Sequence, residues 1–291
     1  MNKFRKNIDL NYENDNFECF ALDWLECDES CLIEEEDERH YDKIYKIFLF
    51  GNTLEGHSVC IKVNNFNPYF YLKIPDEWDN NDIIRFKDNF LEVEELNFFG
   101  CRERTKDEEF MKVKEKISTK KIKSYLLHEE TEIVEKEIFW TFTNFKKYKF
   151  FKLYFKNKEG FRLFSKFFSK AKKYPYFKKK VDFKVFESNL EPILKYFHDN
   201  NIKPSNWVSI PTHKLITSYN LSHSQLNFDV DYNDIIPIEK NVIPPLIVAS
   251  FDIEADSSHG DFPIALKDYK KLANELYICY MDDIRKGLKI E

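Results

Sequence analysis

Leu246-Ile247-Val248-Ala249-Ser250-Phe251-Asp252-Ile253-Glu254 decides how this chain is read. An apolar run leads straight into two carboxylates, and Gly260 and Pro263 break the chain soon afterwards. That pattern predicts a buried strand over 246–254. Strand side chains alternate between faces, so Asp252 and Glu254, two positions apart, project to the same side. Burying two like charges together is costly unless something positive neutralises them. A divalent cation does this well, since Mg²⁺ prefers hard oxygen ligands and keeps part of its water shell. Two such ions ~4 Å apart can activate a water and stabilise the leaving oxygen of a phosphodiester. Many strands end in acids at a solvent boundary, however, and a bare D-x-E leaves the chemistry open.

Around this stretch lie 291 residues, enough for about two domains. With 43% hydrophobic and 33% charged residues the chain forms a core and is not disordered. Twenty-nine Phe against six Gly argue for bulky aromatic packing rather than glycine cradles. No run of ~20 apolar residues is present to cross a membrane, and the charged start Met1–Asn7 has no apolar region behind it, against a secretory signal. Six scattered cysteines read as free thiols in a reducing compartment; the one close pair, Cys27 and Cys31, would need a partner such as His40 to hold zinc.

Strands are expected at 17–27, 43–49, 57–63, 68–75, 150–155, 207–211 and 226–232, with an acidic loop at 28–42 and a turn around Gly51–Gly56. Helices are expected at 79–90, capped by Asp76, at 161–168, at 187–200 and from 268 to 290. In the second of these, Phe161, Phe164, Phe167 and Phe168 form an amphipathic stripe. Residues 101–135 read as a helix or an insertion.

The net charge of −6 hides an asymmetry. Residues 1–40 carry thirteen acids and four Lys/Arg, whereas residues 146–184 carry fifteen Lys/Arg and only Glu159 and Asp182 as acids. The basic stretch is interleaved with aromatics, a combination that suits single-stranded nucleic acid. The simpler reading places most of those rings in the core with the lysines outside, and no pattern assigns a particular lysine to a phosphate.

The flanks of the carboxylate pair sharpen its meaning. Ser250-Phe251-Asp252-Ile253-Glu254, followed by Ser257-Ser258, Gly260 and Phe262-Pro263, closely resembles the first exonuclease motif of family B DNA polymerases. Upstream, Phe186-Glu187-Ser188-Asn189 and Asn206-Trp207 resemble the segment joining that family's N-terminal and exonuclease domains, and Asn67–Pro75 resembles its early P-Y-F strand. The likeness is greatest to polymerases of large DNA viruses and the eukaryotic delta type. It implies an α/β protein: a disordered tail at 1–16, a mixed α+β N-terminal domain at 17–205, and the start of an incomplete RNase H-like 3′–5′ exonuclease domain at 206–291. By the same resemblance Asp252 and Glu254 are catalytic and bind metal, with two Mg²⁺ or Mn²⁺ ions in the complete site. His259, in the loop that follows, reads as an exposed loop residue.

The family's later aspartate motifs do not follow Glu254, Asn227-Phe228-Asp229 matches one of them only by chance, and the palm signatures are absent. The expectation is therefore part of a replicative, DNA-directed polymerase, a nucleotidyltransferase, inactive alone and with exposed apolar edges. Its implied partners are template–primer DNA with its single-stranded 3′ end, the remainder of the polymerase or a complementing polypeptide, and a sliding clamp, with no membrane. The implied location is intracellular, in the host nucleus or a cytoplasmic replication site if viral. Two alternatives stand beside this one: a non-enzymatic single-strand-binding module derived from such a polymerase, and a stand-alone nuclease.

Overall fold

The computed structural model describes residues 16–35, 38–92, 123–139, 142–174, 176–219, 221–246, 250 and 270–285. The chain divides into two compact units, Met1–Leu246 and Ile247–Glu291.

The first unit is built on two sheets. Strands β1 (Asn16–Glu35), β2 (Glu38–Asn52) and β3 (Ser58–Asn64) form an antiparallel meander. After a long excursion the chain returns as β8 (Trp207–Pro211), β9 (Ile216–Thr217), β10 (Leu226–Asp231) and β11 (Ile236–Pro237), completing a sheet of order β11-β8-β1-β2-β3-β10-β9. β10 runs parallel to β3, and the other pairings are antiparallel. The excursion holds the second sheet, of order β5-β6-β4-β7, from β4 (Tyr69–Lys73), β5 (Glu132–Glu137), β6 (Lys147–Tyr154) and β7 (Val185–Phe186). Helices α1 (Asn80–Asn89), α2 (Lys158–Phe168) and α3 (Pro192–Asp199) accompany it.

Period-2 alternation sorts the second sheet's side chains. From β4 onward Phe70, Leu72 and Ile74, and from β6 onward Phe151, Leu153 and Phe155, share one core with Ile83, Phe86 and the α2 stripe Phe161, Phe164, Phe167 and Phe168. The intervening Tyr69, Tyr71 and Phe150 join the other core, with Ile47, Leu49, Ile61 and Tyr196. α2 starts where its sequence dictates. Asn157, fully buried, accepts a hydrogen bond from the Gly160 amide at 2.7 Å and donates one to the Lys43 carbonyl at 2.9 Å. Gly160 is required there because a Cβ would come within 2.6 Å of Tyr125 Cβ.

Several expectations change. The acidic loop predicted over 28–42 is replaced by strands: β1 and β2 pair in continuous register from Asp23↔Phe50 to Glu35↔Glu38. Backbone pairing tolerates this charge because acids here find partners: Glu29 lies 3.1 Å from Lys62, Asp42 3.8 Å from Lys156, and Asp28 accepts from the Lys158 and Glu159 amides at 2.7 and 3.1 Å. α1 is capped by Asp79, which accepts from the Asp82 amide at 2.8 Å, whereas Asp76 instead takes Lys73 at 3.0 Å. The boundary expected at 205/206 coincides with no break in the fold, since β8 pairs with β1 and β10 with β3 inside one sheet. Asn16, placed in the expected tail, is the first residue of β1. Residues 1–15 and most of 101–135 lie outside the described residues.

In the second unit α4 (Lys270–Arg285) is described, as the sequence predicts for 268–290. Leu272, Leu276, Tyr277, Ile278 and Tyr280 on it are all exposed. No helix among the described residues is long and apolar enough to cross a membrane.

Candidate nucleic-acid interface

Asp252, Glu254 and His259 lie outside the described residues, as does nearly all of the strand expected over 246–254; its first residue, Leu246, is 43% exposed. Among the described residues no three His, Cys, Asp or Glu gather to hold a metal. Cys27 and Cys31 are both on β1, four residues apart. An extended chain separates their Cα atoms by ~13 Å, whereas ligands of one zinc need sulfurs ~4 Å apart. The thiols are free, and burial pushes both up from their ordinary pKa. Asp229 serves the fold: it accepts from Asn64 Nδ2 at 3.3 Å and lies 3.6 Å from Lys62. That agrees with reading its likeness to a later exonuclease motif as chance.

The basic stretch 146–184 can be followed residue by residue. Phe150, Phe151, Phe155, Phe161, Phe164, Phe167, Phe168 and Tyr174 are buried, so most of its aromatics belong to the core, as the simpler reading expected. Tyr148, Tyr154 and Phe177 are half-buried, and Tyr176 is exposed.

On the tyrosine face of the second sheet, lysines lie flat on the rings. Lys152 Nζ is 4.1 Å from the centroid of Tyr69 and 4.8 Å from that of Tyr154; Lys136 stands 4.9 Å from Tyr71. Lys73 and Lys146 flank Tyr148 at 4.4 and 4.8 Å. Lys195, on α3 and only 3% exposed, donates to the Tyr69 carbonyl at 2.7 Å, pairs with Glu187 at 3.2 Å and lies 4.3 Å from the Tyr69 ring. Burial lowers its pKa to about 8, against the opposing pull of Glu187. Burial also lowers Lys152, and it raises Tyr69, to which the hydrogen bond to Asp199 at 2.7 Å adds.

These contacts limit what the face can do. A cavity of about 730 Å³ opens beside it, lined by Lys136, Lys152, Tyr154 and Thr131 but also by Glu129, Glu130, Glu132 and Asp199. Tyr69 and Tyr71 are 4% and 5% exposed, so neither of these rings is open for a base to stack on, and Lys152 lies over the half-buried Tyr154. The carboxylates offset the lysine charge that would attract a phosphate. Lys195 escaped the sequence reading although a signal existed: it interrupts the apolar run of α3, between Leu194 and Tyr196.

Comparison with known proteins adds what the geometry leaves open. Residues 183–274 match the profile described as DNA polymerase family B, exonuclease domain. A DNA polymerase of Pyramimonas orientalis virus is 30% identical over 270 residues, covering 90% of this chain and 19% of the relative. The DNA polymerase of Acanthamoeba polyphaga mimivirus is 29% identical over 259 residues, or 88% and 14% of the two chains. A DNA polymerase delta catalytic subunit of Plasmodium falciparum is 32% identical over 244 residues, 79% and 20%. This chain thus spans about a fifth of the length of such relatives. The family B DNA polymerase of Pyrobaculum calidifontis superposes with a TM-score of 0.46 at 18% identity, over 79% of this chain and 21% of that one.

Proposed function

The chain belongs to DNA polymerase family B, and from that membership we propose that it is a portion of a replicative DNA-directed DNA polymerase, with Asp252 and Glu254 as the opening carboxylates of its 3′–5′ proofreading site. The observation that carries this reading is positional: Phe251-Asp252-Ile253-Glu254 falls inside the 183–274 match to the exonuclease domain. The donor set suits the metal such chemistry needs, because two carboxylates at i and i+2 of the strand that the sequence predicts would offer hard oxygens on one side. When bound, a pair of Mg²⁺ or Mn²⁺ ions supplies an activated water and charge stabilisation at the leaving oxygen. Asp252 and Glu254 hold and orient those ions against the 3′ end of a DNA single strand.

On this reading template–primer DNA is the substrate of the whole polymerase, at an intracellular replication site, and the remainder of the polymerase or a complementing polypeptide supplies the missing acids. The 291-residue chain by itself is then inactive as a nuclease. Incubation with a 5′-labelled single-stranded oligonucleotide and Mg²⁺ should leave the label full-length, indistinguishable from the Asp252→Ala/Glu254→Ala variant. Robust degradation that the variant lacks would show that two acids suffice and overturn the split-site reading. Degradation that the variant retains would overturn the assignment of the pair.

A further inference from the structure

A second concave site, unlike the tyrosine face, is open. It is a cleft of about 560 Å³ between the turn that follows β4 and the segment 177–184, within the ~300–1,000 Å³ typical of ligand sites. Its floor is aromatic. The rings of Trp78 and Phe177 stack at 4.7 Å with an interplanar angle of 21°. Trp78 is held from behind by the buried Phe86 at 5.3 Å and Phe183 at 5.7 Å, so Phe177 forms the outer layer of a platform anchored in the core. Phe177 is half-buried, and its neighbour Tyr176 is 72% exposed with φ of 67°. A tyrosine in the left-handed region is strained, and such strain is concentrated at ligand sites.

The walls are basic. Five lysines against three carboxylates line the cleft. Lys73 is occupied by Asp76 at 3.0 Å. Lys178, Lys179, Lys180 and Lys184 are exposed, and none makes an ion pair among the described residues. That contrasts with the tyrosine face, where Lys195 is paired with Glu187 and lysines cover the rings. Free ammonium groups beside a supported aromatic layer are what a single strand requires: phosphates for the lysines and a base face for the ring.

We propose that this cleft binds single-stranded DNA, with a base stacked on Phe177 and the flanking phosphates on Lys178, Lys179 and Lys180. The site is separate in sequence from Asp252 and Glu254 and does not depend on the exonuclease reading. Duplex DNA fits it poorly, because paired bases cannot present a face to the ring.

The test is fluorescence anisotropy of a labelled oligo(dT) with the 291-residue chain at 50 and 200 mM salt, alongside a blunt duplex and a polyglutamate peptide. The triple variant K178Q/K179Q/K180Q, all surface positions, should weaken oligo(dT) binding at least ~10-fold. It should also reduce the slope of log affinity against log salt by ~2, at about 0.7 per phosphate. Phe177→Ala should lose ~5- to 150-fold, the range for removing one stacked base, and Phe177→Leu, which keeps the apolar packing but not the ring, reports on stacking if F177A loses stability. Asp252→Ala/Glu254→Ala separates this cleft from the exonuclease motif, and K149Q, at an exposed lysine of β6 outside the cleft, should bind as the parent does. Unchanged affinity and salt slope in the lysine triple would overturn the proposal, as would equal affinity for polyglutamate or for duplex. Binding lost in the carboxylate variant but kept in the triple would also overturn it, placing the single strand at the exonuclease motif instead.

Discussion

The two faces of the second sheet come from the same strands and have opposite characters. On β6, Phe151 and Leu153 point into a core shared with α1 and α2, while Lys152 and Tyr154, one residue away, point to a face of tyrosines, lysines and carboxylates. One face is stabilised by apolar area removed from water, about 25 cal/mol per Å². The other, whose Tyr69, Tyr71 and Phe150 also join a core, carries in addition cations over rings and hydrogen bonds whose net worth is nearer 1 kcal/mol each. The lesson is that a segment rich in both Lys and Phe need not be a binding surface. Where lysines already have rings and carboxylates as partners they serve the fold; where they lack them, as at Lys178–Lys180, charge is left over for a ligand.

Mutations should separate the faces by size of effect. Phe164→Ala, at a ring 1% exposed in the phenylalanine core, should cost about 3–5 kcal/mol in urea unfolding. A loss below 1 kcal/mol would mean that this core is loosely packed. Asn157→Ala removes both the α2 cap and the bond to the Lys43 carbonyl and should cost about 1–2 kcal/mol.

Lys195 offers a test by pH. Its pKa in the fold, about 8, lies below its ordinary 10.5. Between those values the unfolded chain keeps a proton that the folded one gives up, so this residue makes stability rise with pH across roughly 8 to 10.5. Tyr69 and Tyr154, whose pKa values burial raises, oppose it only above their ordinary 10. The expected outcome is a slope of Tm between pH 8 and 10 that is more positive in the parent than in Lys195→Met, the lowered Lys152 and the raised Cys19 being common to both; the same slope in both would remove Lys195 as the cause. The smallest effect belongs to Lys152→Ala on the tyrosine face. It should cost about 1 kcal/mol, at ~0.5 for each of its cation–π contacts with Tyr69 and Tyr154, and a loss as large as that of Phe164→Ala would erase the distinction between the faces.

The sequence revealed most where periodicity was undisturbed. Phe150–Phe155 read as a strand and the stripe Phe161–Phe168 as a helix, and both are found. The β1–β2 hairpin was hidden because its acids read as a solvated loop, and their neutralisation comes from Lys62 and Lys156, distant in sequence. β9 and β11, two residues each, are too short for any periodic signal. The pairing of Trp78 with Phe177 joins positions 99 residues apart, which no local pattern announces. Asp252 and Glu254 were singled out from motif and chemistry; they lie outside the described residues and within the span of the family match.

The most direct measurement of that assignment is Mn²⁺ titration of the 291-residue chain followed by electron paramagnetic resonance. The account predicts that Asp252→Asn/Glu254→Gln weakens Mn²⁺ binding by at least ~10-fold, the least expected when metal ligands are removed, with melting behaviour unchanged. Equal binding by the parent and the variant would contradict it.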